Sequence, residues 1–448
     1  MSITNKLAYL EQTKEGIKQA IINKGVSVSD SDTFRSYINK IDSITTGGGS
    51  GSDCNVSTCW DSLGYTTTPQ YLDDAVAYGA QIKDTWDASS TSFNFSNNAD
   101  IIYFPSLDVS NVSSATFFSY DANLQYVGRL NFSSKIHSLN NLFSTCKKLI
   151  EVAGINTWDT SGVTSMSFAF QDCESLKSLD LSNWDVSNVT NMWKTFANCK
   201  SLTLLNLTGW SPKPTQIESL FTHCEKVPSL NVTGWDVSGA TDCTSVFSYC
   251  QKLTEITGLN TWVLSSTTKC NYMFRDCQVL TTIDLSGGGG DNLTNMNSMF
   301  YYCNALTDIN LSNWDTSKVT DMGSIFYACY ALEKVDGFLD LTSCNYSNTY
   351  SYFVGNSNLT KLRKITFKNI GYQSAKTAIN FSYINWWGVN TDEIPDAKQS
   401  LIDSLITYSF DRASAGYATH TITLGTQTKA VLTEEEIAQI TAKGYTIA

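Results

Sequence analysis

The sequence predicts an α/β repeat solenoid in which each coil of about 26 residues supplies one strand and one short helix. Three observations lead there: a phrase that returns along the chain, a helical spacing before a recurring cysteine, and a strand-like spacing after it. LSNWDVSNVTNMWKTFANCKSL, from Leu181, comes back from Leu311 as LSNWDTSKVTDMGSIFYACYAL. Aligned on cysteine, the units centre on Cys146, Cys173, Cys199, Cys224, Cys250, Cys277, Cys303 and Cys329. Their spacings are 27, 26, 25, 26, 27, 26 and 26 residues.

The helix is read from the residues before each cysteine. Three positions earlier stands Phe143, Phe170, Phe196, Phe221, Phe247, Phe274, Phe300 or Phe326. Seven positions earlier stands Leu139, Met166, Met192, Ile217, Cys243, Cys270, Met296 or Met322. These three positions, i, i+4 and i+7, share one face of a helix, and Asp185 or Ser187 is placed to cap it. After each cysteine the period changes. Leu176, Leu179, Leu181 and Trp184, then Leu202, Leu205, Leu207 and Trp210, follow the L-x-x-L-x-L pattern of a leucine-rich repeat, with Trp near the strand's end. A single unit of this kind cannot bury its apolar face, so neighbours must stack. Recurrence of Phe, Trp and Leu is thus a packing requirement, each buried Phe contributing about 1.5–3 kcal/mol. The register runs outward through Leu107–Phe118 upstream and Phe353–Ile365 downstream. About ten or eleven coils between residues 91 and 370 would give an array roughly 50 Å long.

The flanks read differently. Residues 1–45 show two amphipathic helices separated by Gly25, an anchoring or oligomerisation piece, and residues 46–53 are a Gly/Ser linker. Residues 54–90 include TTPQYLDDAVAYGAQIKDTW, with Pro at a first helical position, and read as an N-terminal cap over the solenoid's open end. Residues 371–448 read as the C-terminal cap, with a helix over Asp396–Tyr408, a strand over Thr419–Leu424 and a helix over Thr433–Lys443.

Composition narrows function. Apolar residues make up 42 % of the 448, enough for a large core, and charged residues only 16 %. A net charge of −12 argues against nucleic acid and anionic membranes as partners. No apolar run has the length of a membrane span, and the first residues lack the apolar stretch of a secretory signal. The eight repeat cysteines recur at apolar positions, as small hydrophobes do, and Cys243 and Cys270 join the Met column. Cys54 and Cys59 are better disulfide candidates, and their spacing fits no standard zinc pattern. His137, His223 and His420 fall in no common motif, and no nucleophile–base or HExxH arrangement is visible. Gly287–Gly290 replaces the Trp of one coil and lacks the Lys-Ser/Thr of a phosphate loop, so it reads as a loop variant. No cofactor is called for, and the chain reads as non-enzymatic.

Two sets of surface residues are candidates for binding. Asp180, Asn206, Asn231, Asp284 and Asn310 point away from the core along the strands, with Ser182 two positions after the first. This ladder of short polar groups suits sugar hydroxyls or a polar protein surface, and its aligned oxygens would hold Ca²⁺ at most weakly. A solvated sheet face accounts for it equally well. The second set is aromatic: Trp193, Tyr249, Tyr272, Tyr301, Tyr302, Tyr327 and Tyr330 flank the core Phe and Cys positions. Exposed aromatics are favoured at binding hot spots, and partial burial against the next coil is the competing account.

The WDxSxVTxMxxxFxxCxxLxxLxLS phrase resembles the repeat of the BspA-like leucine-rich-repeat surface proteins. That resemblance implies a right-handed solenoid, adhesion to cells, matrix proteins or glycans, and no catalytic motif. The opening segment, TKEGIKQAIINKGVSVSDSDTFRSYINKI, resembles N-terminal segments of phage tail-associated and fibre proteins. Together they imply a virion or tail-associated adhesin assembled in the host cytoplasm. Residues 1–45 would bind other virion proteins or a second copy, and the repeats a host-surface protein or glycan. A structural virion subunit without receptor binding and a bacterial surface adhesin are the alternatives.

Overall fold

The computed structural model describes residues 95–97, 103–104, 107–128, 130–344, 359, 361–362, 364–370, 372, 379–381, 395–424 and 426–448. The expected helical segment 1–45, linker 46–53 and cap 54–90, with Cys54 and Cys59, lie outside them, as does the Phe353–Asn356 part of the downstream coil. Residues 88–99 and 106–448 make one compact unit.

That unit is a β-solenoid of about 11 turns. Each coil contributes one short strand, and neighbouring strands run parallel. Ser178–Asp180 pairs with Leu204–Asn206, and Ser229–Asn231 with Glu255–Thr257. Thr282–Asp284, Asp308–Leu311, Lys334–Asp340 and Lys364–Lys368 form one four-stranded sheet. Leu179, Leu205, Leu230, Ile283, Ile309 and Val335 are inward residues of their strands, flanked by outward residues that are polar except for the exposed Leu204.

The ladder is not continuous, and its breaks follow coil length. Strands pair where successive repeat cysteines are 26 residues apart, and fail to pair at the one 25-residue and the two 27-residue intervals. The extra residue of each long coil lies between strand and Trp. There the chain makes a 3₁₀ turn, Ile155–Thr157 or Leu259–Thr261, entered through Gly154 or Gly258 at positive φ. The short coil places Pro228 where its neighbours have Thr203 and Thr254, whose N–H groups bond the preceding coil's Lys177 and Pro228 carbonyls. Pro228 has no N–H to give.

The short helix expected before each cysteine does not form. Residues five and one before the cysteine adopt left-handed backbone in every coil, for example Phe168 and Asp172, Lys194 and Asn198, Ser219 and His223. Left-handed residues interrupt an α-helix, and the segment becomes a run of i→i+3 turns. Alternate amides close those turns, as Ala169 does on Met166 and Cys173 on Phe170. The amides between them reach across to the next coil. Phe168 donates to the Trp193 carbonyl, Phe170 to Thr195 and Asp172 to Ala197, at 2.8–2.9 Å. The same three bonds recur at all seven junctions from Cys146 to Cys329. Asp185, expected as a helix cap, instead accepts the Ser187 N–H in a local turn.

Three columns of side chains fill the interior. The Phe rings stack coil on coil from Phe118 to Phe326 with centroids 5.4–5.9 Å apart. Trp158, Trp184, Trp210, Trp235 and Trp262 form a second stack at 5.5–6.4 Å. The cysteines form the third, and they do more than fill space. Each thiol donates to the carbonyl of a Phe in the preceding coil, from Cys146 on Phe118 at 2.8 Å to Cys329 on Phe300 at 3.0 Å. Each of these buried carbonyls, already bonded to an amide of its own coil, thereby gains a second donor from a side chain small enough for the column. Burial holds these thiols protonated, Cys250 being pushed up to about 12.

The Trp stack lapses at Gly287–Gly290, and the reason is stricter than a tolerated loop. A Cβ on Gly287 would strike the Trp262 carbonyl, and one on Gly290 the Asp315 carbonyl, where φ is +95°. Backbone from the flanking coils occupies the space on both sides.

After Lys364–Lys368 the helix Pro395–Ile402, extended by a π-helical turn over Asp403–Thr407, lies along the last strand. Ser400 Oγ accepts the Ile365 N–H at 3.1 Å, and Ser404 Oγ accepts that of Phe367 at 3.0 Å. The hydroxyls take the place of a further strand. Beyond it, Ile379–Asn380, His420–Thr423 and Tyr445–Ile447 form a small parallel sheet. The helix Glu434–Ala442 starts at Thr433 with a reciprocal Thr433–Glu436 cap.

Candidate functional site

The strand-face ladder is where its spacing placed it, exposed or half-exposed on successive coils. Its carboxamide and carboxylate oxygens, however, are engaged locally. Asp180 Oδ1 accepts the Ser182 N–H and hydroxyl, and Asn206, Asn231, Asp284 and Asn310 each accept the N–H two residues on, at 3.0–3.3 Å. Asn206 also donates to Asp180 at 2.9 Å across the coil junction. These residues turn the chain at the end of each strand. A second column, Asp159, Asp185, Asp236 and Asp315, makes the same turn after the Trp position. The serine hydroxyls and N–H groups hold Asp185, Asp236 and Asp315 below the usual carboxylate range. Among the described residues no cluster of three or more His, Cys, Asp or Glu side chains is arranged to hold a metal ion.

The aromatic set is brought together more closely. On the turn side, the His223 and Tyr249 rings stack at 4.2 Å. The Arg275 guanidinium then lies 5.2 Å from Tyr249, 5.4 Å from Tyr272 and 5.1 Å from Tyr301. Tyr301 stacks on Tyr327 at 4.5 Å, and Tyr302 leans on both. One continuous strip thus crosses five coils. Tyr302 and Tyr330, 37 % and 53 % exposed, carry its outer surface, while Tyr249, Tyr301 and Tyr327 are half-buried. Partial burial against neighbouring coils thus accounts for Tyr249, Tyr301 and Tyr327, and Tyr302 and Tyr330 are the exposed members. Trp193 stands outside the strip, packed on Phe168 at 4.6 Å with Lys194 over its ring.

Arg275 and His223 were not legible as members because neither is a Phe, Trp or Tyr. The available signal was position: His223 shares Tyr249's place before its cysteine, and Arg275 that of Tyr301. Asp276, buried beside the strip, lies 3.6 Å from the guanidinium and offsets its charge. Burial first, and then Tyr327, holds the Tyr301 phenol above its usual value. A separate open dent of about 340 Å³, lined by Gly234–Val237, Thr261 and Val263, gathers none of the candidate residues.

Known structures similar to this chain are leucine-rich-repeat proteins. One from Bacteroides ovatus shares 19 % identity over 62 % of this chain and 72 % of its own, with a TM-score of 0.32. LIC12759 of Leptospira interrogans shares 14 % over 58 % and 73 %, at 0.23. The internalin inlF of Listeria monocytogenes shares 12 % over 83 % and 92 %, at 0.22. No curated protein matches the sequence. Among the described residues no helix is long and apolar enough to cross a membrane. A family model described as "Mycoplasma protein of unknown function, DUF285" matches residues 108–227 and again 215–338. Those matches fall on the coils just described and span just over half of the sequence, so the chain belongs to the DUF285 family.

Proposed function

We propose that this protein is a non-enzymatic recognition scaffold that binds a protein partner through the turn-side aromatic strip. The observation that carries the reading is the run His223–Tyr249–Arg275–Tyr301–Tyr327, with Tyr302 and Tyr330 on its outer surface. The repeat pattern requires nothing apolar there, yet five successive coils supply either an aromatic ring or the guanidinium that the rings enclose. Neighbouring rings fix each other's rotamers, so little conformational freedom is lost when a partner docks. The strand face is the second surface, and the local turns made by Asp180, Ser182, Asn206, Asn231, Asp284 and Asn310 weaken its claim.

The partner we favour is a host-surface protein, with a glycan as the alternative, bound by a phage virion or tail-associated adhesin. Support comes from the BspA-like repeat phrase and the phage-tail-like opening segment, through which residues 1–45 would join other virion proteins. A bacterial surface adhesin would use the same repeats. The test is binding of fluorescently labelled full-length protein to a panel of gut-type bacteria. Wild type is compared with a Tyr302→Ala/Tyr330→Ala variant and an Asp180→Ala/Asn206→Ala variant. Saturable binding lost only in the tyrosine variant supports the reading. Loss only in the ladder variant moves the site to the strand face, and no binding to any strain favours a structural subunit.

A further inference from the structure

We propose that Cys243 and Cys270 are a redox modification site, two thiols placed to form a disulfide between neighbouring coils. They occupy the column seven residues before the repeat cysteine, where the other coils carry Leu, Met or Ile. Both are fully buried thiols.

Their backbones are held side by side. Asp242 and Lys269 form a parallel bridge, and the Cys243 N–H donates to the Lys269 carbonyl at 2.9 Å. On either side the same rung is pinned by Lys269 Nζ with Asp242 at 3.3 Å and by the Thr244 hydroxyl on Asn271 at 2.9 Å. Residues facing each other across a parallel ladder are about 4.8 Å apart, inside the roughly 4.4–6.8 Å Cα window of a disulfide. Cys243 Sγ is 3.6 Å from Thr267 Oγ1, three residues before Cys270.

The eight repeat cysteines also sit one rung apart, but they differ in engagement. Each of those thiols donates to a Phe carbonyl, so linking two of them would break two buried hydrogen bonds. Cys243 and Cys270 carry no such duty. Their position in the fold matters too. The coils they would join are those whose strands, Glu255–Thr257 and Thr282–Asp284, do not pair. A covalent link there would fasten a junction that the strand side leaves open.

The chemistry is thiol–disulfide exchange with a small-molecule disulfide. One cysteine thiolate attacks a sulfur of that disulfide, forming a mixed disulfide and releasing one small thiol. The other cysteine thiolate then displaces the second small thiol, and the Cys243–Cys270 bond forms. Two electrons pass to the small-molecule disulfide, and its two thiols carry away the two protons. Because both sulfurs are enclosed, the reaction proceeds through local opening and is accelerated by warming.

The test exposes reduced full-length protein to oxidised glutathione a few degrees below its unfolding midpoint. Free thiols are then alkylated, the chain is digested and the peptides are weighed. The expected result is a peptide pair joined through Cys243 and Cys270, with the repeat cysteines alkylated. The unfolding midpoint should rise by roughly 5 °C on oxidation. Cys243→Met and Cys270→Met, which restore the column's commonest residue, should keep the reduced midpoint and lose the rise. Links among the repeat cysteines in preference, or recovery of Cys243 and Cys270 as alkylated thiols after prolonged exposure, would overturn the proposal. So would an equal midpoint rise in the Met variants.

Discussion

The turn side and the strand side of this solenoid stack the same coils but tolerate change differently. On the turn side the amides five, three and one before each repeat cysteine bond the next coil at every junction, whatever the coil's length. On the strand side, between Cys146 and Cys329, the ladder survives only where successive cysteines are 26 residues apart. The distance from the Met column to the cysteine never varies, so insertions and deletions fall elsewhere. Coils are therefore registered by the turns, with the strands following where length allows. The usual view of a β-solenoid, in which the sheet is the spine, is reversed here.

That comparison can be broken most directly in the Phe column. Phe221→Ala removes a fully buried ring between Phe196 and Phe247 and should cost about 3–5 kcal/mol in denaturant unfolding. Leu230→Ala, on the strand side of the same coil, should cost less, toward the lower end of about 2–5 kcal/mol. An equal or larger loss at Leu230 would return the spine to the sheet.

The next effect is at the strand side's last edge. Ser404→Ala leaves the buried Phe367 N–H without its acceptor and should cost about 1–3 kcal/mol, with faster hydrogen exchange at that amide. A change below measurement error would mean that the helix covers the edge by packing alone.

Pro228→Thr sharpens the comparison from the other direction. It offers an N–H toward the Thr203 carbonyl and should add at most about 1 kcal/mol, read as a newly protected amide at position 228. If the ladder between Leu204–Asn206 and Ser229–Asn231 stays open, the 25-residue spacing rather than proline is what breaks it.

The smallest effect is acid sensitivity at the corners. Asp185, Asp236 and Asp315 have folded values below their ordinary ones. Their stabilisation is present above the unfolded carboxylate value and is lost as pH falls through the folded one. Ser187→Ala, Ser238→Ala and Ser317→Ala together should slightly lower stability at neutral pH, with the variant and wild-type curves converging at low pH so that the acid limb is flatter.

Much of this architecture was legible in the residues. The period, the Phe, Trp and Cys columns and the inward leucines all follow from spacing. The helix did not form because i, i+4 and i+7 is also the spacing of residues facing inward from a run of tight turns. Of the left-handed positions that distinguish the two, the one five before the cysteine carries Phe168, Lys194, Ser219 and Tyr272 rather than glycine, and only the one before the cysteine, with Asp172, Asn198, His223 and Asp276, carries a mark. The interval of 25 or 27 was visible, but that it interrupts the sheet depends on which side of the coil absorbs the change. At the site, the tyrosines could be read and their order along the strip could not, since Arg275 bridges three of them only in space.

The alternation of amides on the turn side carries a consequence for how such a protein changes over generations. Each coil offers its neighbour the same donors and acceptors that it receives, so a duplicated coil meets a matching surface above and below. The gene can lengthen or shorten by whole coils, while Ser400 and Ser404 go on closing whichever strand comes last.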